Sequence, residues 1–142
     1  MRSITHPEQA TPSRRGARRA GSALATGAWG VLLGLSILGV VNHVLGVATF
    51  AGDGNERMMF TLFAALDLYA AVVLLTAYRR GEPWAWALTW VHTAAYALAF
   101  VFIGPGIGSM YLIVAGVAAL AQLAGLPWIR RDSLNHTFND EK

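Results

Sequence analysis

The sequence predicts an all-α integral membrane protein, an antiparallel four-helix bundle with both termini in the cytoplasm. Of its 142 residues 55% are hydrophobic and only 13% are charged, about half the charged share of an average soluble domain. The charges also leave long gaps, with none in 20–51, only Asp67 in 58–78, and none in 83–129. Apolar stretches of this length are typical of helices that cross a bilayer. They exclude a water-soluble enzyme, a nucleic-acid-binding domain and a disordered chain.

Four spans follow from the lengths of these stretches and the breaks between them. A hydrocarbon core about 30 Å thick needs roughly 20 helical residues, so 20–51 and 58–78 each contain one span. The stretch 83–129 is too long for one span, and Gly104-Pro105-Gly106-Ile107-Gly108 divides it, because proline interrupts a helix and clustered glycines favour a turn. The predicted spans are about 27–50, 58–78, 84–103 and 108–128, in a membrane domain of 20–129 between a basic cytoplasmic tail (1–19) and a polar cytoplasmic tail (130–142).

The positive charges indicate the orientation of the spans. An even number of spans places both termini on one side, and that side then carries ten of the eleven Lys and Arg residues. Only Arg57 lies on the opposite side. Cytoplasmic loops carry the excess of Lys and Arg in membrane proteins, so both termini are predicted to be cytoplasmic, in a bacterial cytoplasmic membrane. Cysteine is absent, which excludes disulfides and thiolate metal sites.

Each span has a face of small residues that also carries polar groups. In span 1 such residues recur every three or four positions, as expected for one side of a helix. Helices in lipid associate through small residues and polar contacts, so the four faces are predicted to turn inward. The stripe of span 1 consists of Ser36, Gly39, Asn42, His43 and Gly46.

Three ionisable residues lie well inside the spans: His43, Asp67 and His92. A charge at the centre of a bilayer costs about 2.5–3.5 kcal/mol on insertion scales, and the short side chain of Asp67 cannot reach the interface. Asp67 is therefore predicted to be protonated or to be paired inside the bundle, with a hydrogen bond to His92 on the next span. His43 is expected about 6 Å from His92 along the membrane normal. The other candidate intramembrane polar residues are Asn42, Tyr96 and Gln122.

These residues leave three main functions open. In the first, the polar groups fix helix packing in a structural or accessory membrane subunit, whose partners are the lipid bilayer and a membrane protein or a second copy, not a nucleic acid. In the second, the protein is redox-linked, with a haem b held by His43 and His92 or a quinone bound by His, Asp and Tyr96. In the third, it is a proton-coupled small transporter in which Asp67 pairs with a histidine.

Enzymatic and metal-binding roles find less support. An acid–base pair of Asp67 and a histidine would suit an enzyme acting on a lipid, but no nucleophile motif or phosphate-binding loop accompanies it, and no catalytic residue is assigned. His43, Asp67 and His92 include no pair one helical turn apart, so no metal site is predicted. We therefore favour a non-enzymatic role through helix–helix association.

One part of the chain resembles a known group of proteins. Asp67 lies in Ala65-Leu-Asp-Leu-Tyr69, and the basic segment Tyr78-Arg-Arg-Gly-Glu82 and an aromatic start to span 3 follow it. In this layout 27–128 resembles the DoxX-like small bacterial membrane proteins, four-helix chains of similar length with an acidic residue in span 2 and a basic loop after it. That acidic residue is usually Glu, where this chain has Asp67. Some members are linked to quinone-dependent oxidation, so the resemblance adds support to the redox hypothesis.

Overall fold

The computed structural model describes the backbone of residues 12–139 and the side chains of 23–126. This part of the chain is helical, with short connections between its elements. The outermost residues of the two predicted tails, 1–11 and 140–142, lie outside the described residues. The elements are α1 (Pro12–Thr49), α2 (Gly54–Leu75), a 3₁₀ turn (Tyr78–Arg80), α3 (Pro83–Ile103) and α4 (Ile107–Asn139).

The helix ends follow from local capping chemistry. The Asp53 side chain accepts a hydrogen bond from the Glu56 backbone N–H at 2.8 Å, and the Glu56 carboxylate accepts one from the Gly52 N–H at 2.6 Å. The first bond is an N-cap and the second satisfies the N–H of the residue before the cap, and α2 therefore starts four residues before the predicted start of span 2. Gly104 at the end of α3 and Gly106 before α4 both have positive φ angles, 79° and 97°, so the break predicted there is a glycine turn.

Four helices of this part of the chain are long and apolar enough to span a membrane: Ala23–Thr49, the segment Gly54–Arg80, Pro83–Ile103 and Ile107–Leu126. They agree with the predicted spans to within a few residues at most ends. The helices α1 and α4 themselves extend beyond the predicted spans, to Pro12 and Asn139, into the segments predicted as tails. Hydropathy marks where a helix would leave the lipid, whereas the helical backbone continues until its hydrogen bonding is interrupted.

The helices pack as a four-membered bundle around small residues. Helix α1 contacts both α2 and α4, α3 contacts α4 extensively, and the contact between α2 and α3 is narrower. Most buried apolar residues are alanines, which let helix backbones approach closely. One apolar cluster lies near the 3₁₀ turn and includes Leu32, Leu74 and Tyr78, and a second, aromatic cluster lies toward the other end and includes Tyr96 and Tyr111.

The outer surface of the bundle is apolar. Each helix presents large aliphatic side chains outward: Leu38 is 65% exposed, Leu62 61%, Val101 70% and Leu120 70%. Soluble proteins rarely expose continuous apolar surfaces of this kind. The arrangement, with small and polar residues inside and large apolar ones outside, is compatible with a multi-pass membrane protein.

Candidate functional site

A hydrogen-bonded cluster of polar side chains is buried in the centre of the bundle, with the Asp67 carboxylate at its middle. Its Oδ2 is 2.7 Å from Nδ1 of His43, and its Oδ1 is 2.7 Å from Nε2 of His92. The Tyr96 hydroxyl donates to both carboxylate oxygens, at 2.8 and 3.1 Å. Asp67, His43, His92 and Tyr96 are all buried, and the predicted hydrogen bond between Asp67 and His92 is present.

The close approach of α1 to Asp67 depends on a glycine. At Gly39 an added Cβ would lie on top of the Asp67 carboxylate and 2.7 Å from the Tyr96 hydroxyl oxygen. His43 follows one turn later on the same face of α1, so the space left open at Gly39 admits the carboxylate that His43 binds. His43 and His92 both contact Asp67 despite the expected offset of about 6 Å along the membrane normal, because each imidazole contacts a different carboxylate oxygen.

Aromatic rings hold the His43 imidazole in place. The ring stacks on Phe63 of α2 and on Tyr111 of α4, with centroid distances of 5.2 and 5.8 Å. Its second nitrogen, Nε2, is 3.0 Å from the Tyr111 hydroxyl. Tyr111 therefore joins the cluster and extends it to α4, so that all four helices contribute a side chain.

Tyr111 is not among the site residues predicted from the sequence. One signal could have identified it. Tyr111 lies near the Gly104–Gly108 end of its span and His43 near the polar-loop end of span 1, so both belong to the same end of the bundle.

The net charge of the cluster depends on the number of protons that it holds. With an ionised Asp67 and neutral His43 and His92, the three side chains together carry one negative charge. One additional proton makes them neutral. Neutrality is the least costly state in an apolar interior. That proton then lies on the carboxylate or on one imidazole. Among the described residues, the titratable side chains that face His43 are Asp67 from α2, Tyr96 from α3 and Tyr111 from α4.

A cleft borders this cluster between α1 and α4. It has a volume of about 600 Å³, within the range of small-molecule sites. Its walls are mainly apolar, with Leu35, Leu38, Met110 and Val114 among them. The polar side chains that line it are Asn42 and three members of the Asp67 cluster, which are His43, Tyr96 and Tyr111.

Two predicted polar candidates, Asn42 and Gln122, lie outside the Asp67 cluster. Asn42 is exposed, although the predicted stripe of span 1 placed it inside, because the neighbouring His43 turns about 100° further around the helix and takes the inward position. Gln122 is buried but lies eleven residues, or roughly 16 Å of helix, from Tyr111. Its amide donates to the Thr89 carbonyl oxygen at 3.0 Å and to the Thr93 hydroxyl at 2.6 Å, joining α4 to α3.

The contacts of His43 and His92 in the structure are less suitable for binding a haem than the positions of these residues in the sequence indicate. Both ring nitrogens of His43 are engaged, by Asp67 and by Tyr111, and the Asp67 carboxylate lies between the two imidazoles. Axial ligation of one iron by His43 and His92 would require these bonds to break. No group of three or more His, Asp or Glu side chains within the described part of the chain has an arrangement that could hold a metal ion.

Comparisons with known proteins return no relative. No protein-family model matches the chain, and no curated protein and no solved structure is detectably similar to it. The resemblance to the DoxX-like proteins therefore stays a prediction. The functional argument depends on the geometry of the site.

Proposed function

We propose that the chain is a multi-pass protein of a bacterial cytoplasmic membrane, an antiparallel four-helix bundle with both termini in the cytoplasm. The apolar outer surface supports the membrane location. The short connections between successive helices favour antiparallel neighbours. Ten of the eleven Lys and Arg residues would then lie on the cytoplasmic side, as the positive-inside rule requires.

Within that membrane, the proposed function is to bind a quinone or quinol in the cleft between α1 and α4. The observation that carries this proposal is the combination of an apolar cleft at the outer surface of the bundle with a lining of four polar side chains. At its rim Leu38, Ile107 and Met110 are 65–72% exposed, so a hydrophobic molecule would enter directly from the lipid. Sites for such ligands combine apolar walls with a few placed polar groups.

The hydrogen bond between His43 and Tyr111 explains how one site could accept both forms of the ligand. When His43 is neutral and donates from Nδ1 to Asp67, its Nε2 accepts the Tyr111 proton, and the Tyr111 oxygen is left to accept from a quinol hydroxyl. When His43 is protonated, Nε2 donates to Tyr111, whose own hydroxyl then donates to a quinone carbonyl. One proton on the cluster thus reverses the polarity that Tyr111 presents to the cleft.

A second candidate function is the packing role in a structural or accessory subunit. It is favoured because the Asp67 cluster joins all four helices. Each interhelical hydrogen bond in a membrane stabilises the packing by about 0.6 kcal/mol on average. A membrane-protein partner or a second copy would then occupy the outer faces. A proton-coupled transporter would use the same cluster and would move protons without needing a quinone.

Binding of decylubiquinone and its quinol to the purified protein in detergent tests the proposal, with partitioning into empty micelles subtracted. The variant Tyr111→Phe removes the hydroxyl and keeps the ring that stacks on His43. The matched control is Tyr69→Phe, because Tyr69 is 45% exposed on the outer face of α2. We expect saturable binding to the native protein, about tenfold weaker binding to Tyr111→Phe, and unchanged binding to Tyr69→Phe.

Two results would contradict the quinone proposal. One is the absence of saturable binding, and the other is equal affinity for the two tyrosine variants. If binding is absent and native purification also recovers a membrane-protein partner, the packing role is supported instead.

A further inference from the structure

The side chain of Asn42 differs from the other three polar groups that line the cleft. His43, Tyr96 and Tyr111 are buried and hydrogen-bonded to one another or to Asp67. Asn42 is exposed, and its amide makes no hydrogen bond to any of the residues that the structure describes. It is thus a polar wall residue in the cleft whose partner is not supplied by the bundle itself.

At the depth of Asn42 in the span, an amide without a hydrogen-bond partner is energetically unfavourable. It lies seven residues from the end of α1 at Thr49, which is roughly 10 Å of helix. At that depth a side-chain amide faces hydrocarbon, where water is not available to satisfy its donors and acceptor. A polar residue in such a place is a candidate functional residue rather than a packing residue.

The position of Asn42 relative to His43 indicates what would satisfy it. The two residues are adjacent in α1, so their side chains point about 100° apart around the helix. The His43 side chain lies at the buried floor with Tyr111, while Asn42 lies on the exposed wall of the same cleft. A ligand that contacts both places needs two separate hydrogen-bonding atoms, and the two oxygens of a quinone or quinol ring supply them.

We propose that Asn42 binds the second oxygen of the ligand and makes the cleft selective for rings that carry two oxygens, diones or diols, over rings that carry one. This inference rests on the proposed quinone site, in which Tyr111 binds the first oxygen. The amide suits both ligand forms, because its NH₂ donates to a carbonyl and its oxygen accepts from a hydroxyl.

A comparison of two probes and two variants tests the role of Asn42. Decylubiquinol carries two ring hydroxyls beside its two methoxy groups, whereas 4-decylphenol has the same alkyl chain and a single ring oxygen. The variant Asn42→Leu removes the amide at similar volume, and the control Val41→Leu changes the neighbouring residue, which is exposed but does not line the cleft. Because Asn42 is exposed, Asn42→Leu is expected to fold, and its thermal unfolding is measured alongside binding.

The expected result is a loss of about tenfold in decylubiquinol affinity in Asn42→Leu, with unchanged affinity for 4-decylphenol and no effect of Val41→Leu. Wild-type affinity of Asn42→Leu for decylubiquinol would overturn the role of Asn42, while the quinone site itself would stand if Tyr111→Phe still weakened binding. A shift from dimer to monomer in native mass spectrometry, with unchanged decylubiquinol affinity, would also overturn it, because the partner of Asn42 would then be a second copy. Failure of the native protein to bind either probe would instead reject the proposed function.

Discussion

Substitution of Gly39 by alanine is expected to destabilise the bundle, because Gly39 is where α1 comes closest to the buried carboxylate. An added Cβ would overlap the Asp67 carboxylate, with its Cγ at 2.6 Å and the Tyr96 hydroxyl oxygen at 2.7 Å. None of these atoms is the free end of a flexible side chain, since both residues are buried and hydrogen-bonded to each other. The overlap can therefore be relieved only by moving the carboxylate or the helix.

The size of the effect follows from two contributions. Forcing an extra methyl group into a packed interior costs about 1–3 kcal/mol. Displacing the carboxylate also weakens the two bonds at Oδ2, from His43 and Tyr96, at about 0.6 kcal/mol each for interhelical hydrogen bonds in membranes. Together these predict that Gly39→Ala lowers the free energy of unfolding by about 2–4 kcal/mol relative to a Gly→Ala substitution elsewhere in α1.

The same helix supplies the matched controls. An alanine Cβ at Gly30 or Gly34 would meet no atom within 4 Å, and each substitution brings the same gain in helix propensity, up to about 1 kcal/mol. Comparing Gly39→Ala with Gly34→Ala therefore cancels that gain and leaves the contact at Asp67. Unfolding in mixed micelles with increasing dodecyl sulfate, followed by far-ultraviolet circular dichroism, measures the difference. If the free energies of unfolding of Gly39→Ala and Gly34→Ala differ by less than about 0.5 kcal/mol, the close approach of α1 to Asp67 is refuted.

A further prediction concerns the topology. Reporter fusions should place both termini in the cytoplasm: a fluorescent protein at either end should fluoresce, and alkaline phosphatase inserted beside Arg57 should be active. Phosphatase activity at a terminus would contradict the orientation.

Part of the site could be predicted from the chain alone. The prediction that Asp67 pairs with His92 follows from their similar depth on successive spans with a short connection, and that hydrogen bond is present. The sequence predicts another depth for His43, since counting residues treats helices as straight and parallel. Its contact with Asp67 depends on the local approach at Gly39, which residue counting does not include.

For Asn42 and Tyr111 as well, spacing along one helix does not show whether the residue joins the buried cluster. Asn42 shares the three- and four-residue spacing of the inward stripe but lies at its edge, and the packing of α1 against α2 and α4 leaves it exposed. Tyr111 lies on an inward face like many aromatic residues in membrane helices. Its role appears only when the second nitrogen of His43 is found 3.0 Å from its hydroxyl.

The four long apolar helices and the membrane class that they predict follow from hydropathy and charge, because these properties add up along each helix and do not depend on its neighbours. The composition of the polar cluster and the cleft beside it do depend on neighbours. They arise from distances between helices, and small residues such as Gly39 allow the close approaches. A sequence read one helix at a time contains the residues of the site, but the hydrogen bonds among His43, Asp67 and Tyr111 exist only once the four helices are packed.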